Sequence, residues 1–218
     1  MAYKTNCWSD IFIIMSSFSK KIYTIGYAPH TIETFIKTLQ DLQITAIADV
    51  RSSPYSQFKS EFNRENLKKC LLSTGIAYVF LGDNCGARVE DPSCYSNGKV
   101  DYNLVAKSQN FLEGINRIKR GMEQFTLALM CAEKDPITCH RTILICRNIQ
   151  SDNIEVNHIL SNGEVENHKD TEKRLLKLFK LHHPDLFRTE QQRLDDAYAR
   201  QGEKIAYETA EPNNSDWS

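Results

Sequence analysis

Residues Leu127 to Arg141 read LALMCAEKDPITCHR. The apolar run Phe125, Leu127, Ala128, Leu129 and Met130 stops at Cys131, Glu133 and Lys134. After Asp135-Pro136 come Cys139-His140-Arg141, then a periodic apolar segment carrying Ile143, Leu144, Cys146 and Ile149. An apolar run, a polar loop and a helically periodic segment spell strand, loop, helix, with the helix expected over 139–150. In open α/β sheets, ligands gather outside the carboxyl ends of strands and near the helix N-termini that follow. This loop therefore puts two thiols, a carboxylate, an imidazole and a guanidinium where such folds put chemistry.

Outward from that stretch, apolar runs alternate with helical patterns. Ile22–Ile25, Thr45–Val50, Ile76–Leu81 and Glu155–Leu160 read as four further strands. Thr31 and Asn63 cap helices, the first striped by Ile32, Phe35, Ile36, Leu39 and Leu42, the second ended by Gly75. A helix over 104–120 is expected to turn Phe111, Leu112, Ile115 and Ile118 inward. Residues 82–103 read as one long loop, and Asn162-Gly163 as a turn. Glu172–Lys180 reads as a basic amphipathic helix, and Thr189 caps a last one over 190–207. The order predicts a three-layer, Rossmann-like α/β fold with a mainly parallel sheet of about five strands. The expected divisions are an N-terminal extension (1–20), the α/β domain (21–187), a C-terminal helix (188–207) and a disordered tail (208–218). Residues 1–14 read as an upstream extension, with Met15 as an alternative start.

Composition narrows the function classes. The 218 residues carry 27 Lys plus Arg against 28 Asp plus Glu, so a polyanion partner must be met by a local patch, not by the overall field. Residues 11–15, Ile-Phe-Ile-Ile-Met, are too few to cross a bilayer, so no membrane partner is expected. Seven cysteines, an odd number outside any disulfide scaffold, favour a reducing, cytoplasmic setting. There is no Walker A motif or GxGxxG, and Gly82-Asp-Asn-Cys-Gly86 is a weak phosphate signal. Oligomeric state is not fixed by the sequence.

Two constellations carry chemistry. Asp49-Val50-Arg51 sets an acid and a base on one face of a strand end, followed by Ser52-Ser53-Pro54-Tyr55-Ser56. It reads either as a structural ion pair or as an anion clamp centred on Arg51. For 131–141 three readings compete. Zinc is disfavoured, because Cys131-x7-Cys139-His140 is an uncommon spacing and adjacent Cys139-His140 do not easily chelate one ion. Adding Cys85 and Cys94 does not repair the spacing. A nucleophilic thiolate beside His140 and Arg141 is the second reading. In the third, Glu133 does the chemistry while Arg141 and the helix N-terminus hold an anion, and the cysteines merely pack.

A longer set of motifs resembles a known family. Thr24-Ile-Gly-Tyr27, Asp49-Val-Arg51-Ser-Ser-Pro-Tyr-Ser56, Phe62-Asn63 and Met130-Cys-Ala-Glu-x-x-Pro-x-x-Cys-His-Arg141 are similar to the family called domain of unknown function 488. Leu81-Gly82, Gly86-Ala-Arg88, Glu90-Asp-Pro92, Val100-Asp-Tyr102, His158-Ile-Leu-x-x-Gly163 and Ala197-Tyr-x-x-Gln201 extend the resemblance over about 21–207. Many relatives have His at the position of Tyr27, and Leu-Gly-Gly where this chain has Asn84-Cys85-Gly86. The resemblance implies the fold and the place of the site, and no reaction. The expected site joins Glu133, Asp49, Cys131 and His140 as catalytic groups to Tyr27, Arg51, Ser53, Tyr55, Arg88, Cys139 and Arg141 as binding groups. The middle loop, with Arg88, Asp91 and Tyr102, is expected to cover it. The preferred function is a hydrolase or transferase, without metal or cofactor, acting on a phosphate-bearing ligand such as a nucleotide or a nucleic-acid end. The alternatives are a nucleotide- or nucleic-acid-binding module without catalysis, and a thiol-dependent redox or metal protein.

Overall fold

The computed structural model describes residues 20–150 and 153–209. The expected extension before residue 20 and the tail from 210 lie outside them. Six strands form one sheet in the order β3-β2-β6-β1-β7-β8. They are β1 (Lys20–Gly26), β2 (Ala46–Asp49), β3 (Ala77–Phe80), β6 (Leu127–Cys131), β7 (Ile154–Ile159) and β8 (Val165–Asn167). All neighbours run parallel except β7 and β8, so the five expected strands share one carboxyl edge. The sixth, β8, was not foreseen: three residues are too short for a periodic signal, and it returns from β7 through the Asn162-Gly163 turn, where Gly163 takes φ 84°. No helix among the described residues is long and apolar enough to cross a membrane.

Strand alternation sorts the sheet into two faces. Leu127, Leu129 and Cys131 of β6 pack in one cluster, with Ile22, Ala48 and Val156. Ala128 and Met130 pack in the other, with Ile25 and Ile47. The second face is covered by α1 (Ile32–Asp41) through Phe35 and Leu39 and by α2 (Arg64–Ser73) through Leu67 and Leu71. The first is covered by α5 (Gln109–Gly121), by the helical stretch 141–149, and by two C-terminal helices. These last are α7 (His168–Leu178) and α8 (Glu190–Ile205). Such a layered, doubly covered sheet is the Rossmann-like arrangement. β1 leads away to β2 on one side and β6 leads to β7 on the other, so the crevice between their carboxyl ends is the switch point.

Several boundaries differ from expectation for identifiable reasons. The stretch 82–103 is not structureless. It holds α3 (Gly82–Cys85), a turn of 3₁₀ helix (Pro92–Cys94) and an antiparallel ribbon, β4 (Tyr95–Ser96) with β5 (Lys99–Val100). Asn97 and Gly98 have φ of 51° and 76°, the turn that Asn-Gly favours, so a hairpin signal was present in the sequence. The helix expected over 104–120 is two, α4 (Tyr102–Val105) and α5, because Ser108 caps the second through Phe111 N. Leu112 is exposed there, being off the stripe of Phe111, Ile115 and Ile118. α7 begins at His168, four residues before the helix expected over 172–180, because Asn167 caps it through Lys169 N. The tail expected to be disordered from 208 is ordered through Thr209, whose N–H reaches Gly98 O at 3.0 Å. The helix expected over 139–150 starts as a wide π-helix (Arg141–Cys146) and ends as α6 (Arg147–Ile149).

A buried polar chain joins the sheet to the C-terminal helices. Tyr198 OH donates to Glu172 Oε1 at 3.0 Å and takes His168 Nε2 at 3.0 Å. His168 Nδ1 meets His158 Nε2 at 2.8 Å, and His158 Nδ1 meets Thr24 Oγ1 at 2.8 Å. With both imidazoles neutral, every bond runs one way, from Thr24 toward Glu172. Burial pushes the pKa of His168 down to about 4, from 6.5. The unfolded chain takes up that proton first, so this contribution is whole above pH 6.5 and is lost as pH falls toward 4. It amounts to about 3 kcal/mol. Denaturant unfolding between pH 7 and 4.5 is expected to show that loss in the parent chain and a flatter profile in His168→Gln; parallel profiles would contradict it.

Candidate functional site

The carboxyl end of β6 is fixed on both sides. Tyr27 N–H and Ala28 N–H continue the pairing onto Cys131 O at 3.0 Å and Ala132 O at 3.1 Å, and Val50 N–H reaches Met130 O at 3.0 Å. The chain then turns sharply over β1. A Cβ on Gly26 would lie 1.8 Å from Glu133 O, so only glycine lets the loop pass there. Arg141, with no exposed surface, donates from Nη1 to Glu133 O at 2.7 Å and faces Lys134 O at 3.5 Å and Thr24 Oγ1 at 3.4 Å. Arg174 grips Asp135 with two bonds of 2.9 and 2.7 Å, and Gln201 Nε2 donates to Ile137 O at 2.8 Å. The loop from 133 to 139 is thus held from the sheet, from α7 and from α8.

Inside this frame four side chains converge. One ligand atom from each of Cys131, Glu133, Cys139 and His140 lies within 4.8 Å of all the others. Both sulfurs stand 2.9 Å from Glu133 Oε2. His140 Nδ1 is 3.7 Å from Cys131 Sγ and 3.8 Å from Cys139 Sγ. Its Nε2 is 3.0 Å from Val50 O, an acceptor only, so Nε2 carries a proton and Nδ1 faces the sulfurs. The sequence argument that neighbouring Cys139 and His140 do not share one ion fails on backbone geometry. Cys139 is extended (φ −129°, ψ 140°) and His140 is helical (φ −59°, ψ −26°), so the usual alternation is broken and both side chains face one point. Cys85 and Cys94, considered as completing ligands, are buried elsewhere; Glu133 and His140 complete the group.

The electrostatics of the cluster are those of an anion-rich site. Burial opposes ionisation of Cys139, but the bond from Cys131, the Arg141 guanidinium and His140 outweigh it and hold the Cys139 thiol well below its ordinary value. Its bond with Cys139, together with burial, drives the Cys131 thiol well up. Burial and the charge of Cys139 raise the Glu133 carboxyl. Three groups able to be negative at such distances need protons or a cation among them.

The other predicted residues fall elsewhere. Asp49 pairs with Met130 in the sheet register, one residue before Cys131, so Asp49 and Cys131 point to opposite faces. Asp49 takes two bonds from Arg51, at 2.9 and 2.6 Å, and one from Tyr78 OH at 2.7 Å. Arg51 also donates to Phe62 O at 2.9 Å and lies over the Tyr27 ring, which stacks on Phe62 at 4.6 Å. This second cluster shares the sheet edge with the first and meets it through the backbone, where His140 Nε2 reaches Val50 O and Tyr27 N–H bonds Cys131 O. The two arginines expected to form a clamp lie on different faces: Arg141 is engaged by protein acceptors, while Arg51 pairs with Asp49 and keeps a buried Nη1 with no partner among the described residues. Of the helix-start amides expected to hold an anion, Cys139 N–H bonds Pro136 O, and Thr142 N–H and Ile143 N–H both bond Cys139 O. Ser53 and Tyr55 are exposed on the loop after β2, while Ser52 Oγ accepts from Arg88 N at 2.8 Å. The Arg88 guanidinium lies over Tyr207 at 4.8 Å, and Asp91 caps the 3₁₀ turn. Of the middle stretch, Tyr102 reaches inward: its hydroxyl is buried without a partner among the described residues, and burial, then the charges of Cys139, Glu133 and Cys131, raise its pKa.

Thr24, His158, His168, Gln201 and Arg174 were not foreseen as supports of the site. His158 and Gln201 stood in the quoted motifs, but no local pattern tells which loop they hold. Removing Asp49 leaves the buried Arg51 cation uncompensated, so Asp49→Ala is expected to cost about 3–5 kcal/mol. Equilibrium unfolding in urea checks this; a loss below about 1 kcal/mol would mean that the pair is not needed for the fold.

No curated protein and no solved structure matches the chain. The description "Domain of unknown function DUF488" matches residues 31–147, a shorter span than the resemblance drawn from motifs, and one that ends before β7. It contains the whole Cys131–Glu133–Cys139–His140 cluster but neither Thr24 nor the C-terminal helices that brace it. Matched over more than half of its length, the chain belongs to the family described as Domain of unknown function DUF488.

Proposed function

We propose that this protein is a metalloprotein in which Cys131, Cys139, His140 and Glu133 hold one divalent cation of the zinc class at the carboxyl edge of the sheet. The observation that carries the reading is the convergence of four ligand atoms within 4.8 Å, with a histidine whose far nitrogen is already tied to a carbonyl. The donor set fits. Tetrahedral zinc bonds imply about 3.7 Å between sulfurs and about 3.5 Å between sulfur and imidazole nitrogen. The sulfur–nitrogen separations of 3.7 and 3.8 Å are close to that. The 2.9 Å sulfur–carboxylate contacts would open by about half an ångström on binding. Two thiolates, a carboxylate and a dication leave one negative charge, which the buried Arg141 balances.

Metal displaces the simpler thiol reading because of access. Cys131 and Cys139 are 3% and 1% exposed, so neither sulfur is offered to a bulky substrate. The two arginines expected to clamp a phosphate between them lie on different faces of the sheet, Arg51 on Asp49 and Arg141 on the carbonyl of Glu133. A bound divalent ion supplies Lewis acidity or an activated water. Hydrolysis or transfer thus stays the proposed reaction class, with a phosphate-bearing or other anionic ligand met at the metal.

Metal analysis of the reduced, full-length protein tests this. We expect about one zinc-class ion per chain, lost in Cys131→Ser and His140→Ala and kept in Cys94→Ser, with circular dichroism reporting the fold of each. A parent protein that takes up neither zinc nor cobalt after reconstitution, or variants that bind as it does, would refute the centre.

A further inference from the structure

We propose that Glu133 is an exchangeable ligand: it closes the centre in this state, and an incoming small anion or other oxygen or nitrogen donor takes its place, receiving a hydrogen bond from Tyr102. This rests on the metal reading above and concerns what kind of centre it is. Structural zinc sites are closed by permanent ligands, whereas catalytic ones hold three protein ligands and keep a fourth position open.

The four ligands are not held alike. Cys131, Cys139 and His140 are buried, and Glu133 is an exposed residue whose carboxylate alone points in. Cys131 ends a central strand paired on both sides. Cys139 is fixed by its own backbone, its N–H on Pro136 O and its O taking Thr142 N–H and Ile143 N–H. The His140 ring is tied to Val50 O. Glu133 differs. Its main chain is locked by Arg141 and by the close passage over Gly26, but among the described residues its carboxylate meets only the two sulfurs and its own main-chain N–H. The side chain can therefore swing out to solvent without moving the loop. Its contacts are also the ones that fit a tetrahedral ion least well.

Tyr102 supplies the second observation. It is 8% exposed, and its hydroxyl is buried with no hydrogen-bond partner among the described residues. An unpaired buried donor is costly enough that such groups are rare. Tyr102 packs in the same buried cluster as Cys131 and Cys139, and the charges of Cys139, Glu133 and Cys131 act on its hydroxyl. Gly202 of α8 packs against the ring, 3.4 Å from Cδ2 to a Cβ built there, and helps hold the hydroxyl in place. With the Glu133 carboxylate in place this hydroxyl still lacks an acceptor, so the acceptor would come from a ligand that extends past the position the carboxylate now occupies, as a triatomic anion does.

The test uses the full-length protein loaded with cobalt, with azide as the probe and the sulfur-to-cobalt and ligand-field bands as the readout. Glu133→Ala should still bind cobalt with both sulfur bands, and should bind azide at least tenfold more tightly than the parent, whose own carboxylate competes. Tyr102→Phe in the Glu133→Ala background should keep the cobalt and weaken azide by about fivefold, the worth of one neutral hydrogen bond. Loss of cobalt from Glu133→Ala while Cys94→Ser retains it would make Glu133 a permanent ligand and overturn the proposal. Equal azide affinity in the parent and Glu133→Ala would overturn it too, and unchanged affinity in the Tyr102→Phe background would remove the donor. A parent chain that takes up no cobalt would overturn the metal reading itself, which is a distinguishable failure.

Discussion

The site depends on one buried cation. Arg141 has no exposed surface, and a guanidinium cannot shed its proton to escape the cost of burial. It must be surrounded by acceptors and negative charge. On one side it holds the carbonyls of Glu133 and Lys134, which gives the loop its path. On another it touches Thr24, the first member of the polar chain that runs through His158, His168 and Tyr198 to Glu172. Toward the centre it stabilises the Cys139 thiolate. Loop shape, thiolate chemistry and the docking of the C-terminal helices thus share one interaction.

Sheet register decides the rest. β6 lies between β1 and β2, with Gly26 opposite Cys131 and Asp49 opposite Met130. That one-residue offset sends the Asp49–Arg51–Tyr27 cluster to the α1/α2 face and the thiol–imidazole cluster to the face of α7 and α8. The first is a buried ion pair between aromatic rings, with Tyr78 completing the carboxylate and Arg51 Nη1 left without a partner among the described residues. The second collects charges that no ordinary packing would bring together. Backbone bonds join the two, among them the one to Val50 O, which places the His140 ring; a change in the β2 loop would reach the centre through it.

Much of this was legible in the residues. The strand–loop–helix reading of 127–141 and the parallel sheet follow from hydrophobic period and from where α/β folds keep their loops. The grouping of Cys131, Glu133, Cys139 and His140 was legible as a list but not as a geometry. Whether adjacent Cys139 and His140 face one point depends on a change from extended to helical backbone between them, and Pro136, which sets the preceding turn, gives no measure of it. The division of Asp49 from Cys131 depends on inter-strand register, a long-range property that a single strand's pattern does not carry. The polar chain pairs residues 134 and 10 positions apart, Thr24 with His158 and His158 with His168, and only the fold brings them together.

The central claim is that two sulfurs, one imidazole and one carboxylate share a single ion. X-ray absorption at the zinc edge on the reconstituted, reduced protein measures that ligand set directly. The account predicts two sulfur neighbours at about 2.3 Å and two nitrogen or oxygen neighbours at about 2.0–2.2 Å, with the multiple scattering of one imidazole. A first shell of nitrogen and oxygen alone, or of sulfur with no imidazole, would contradict it.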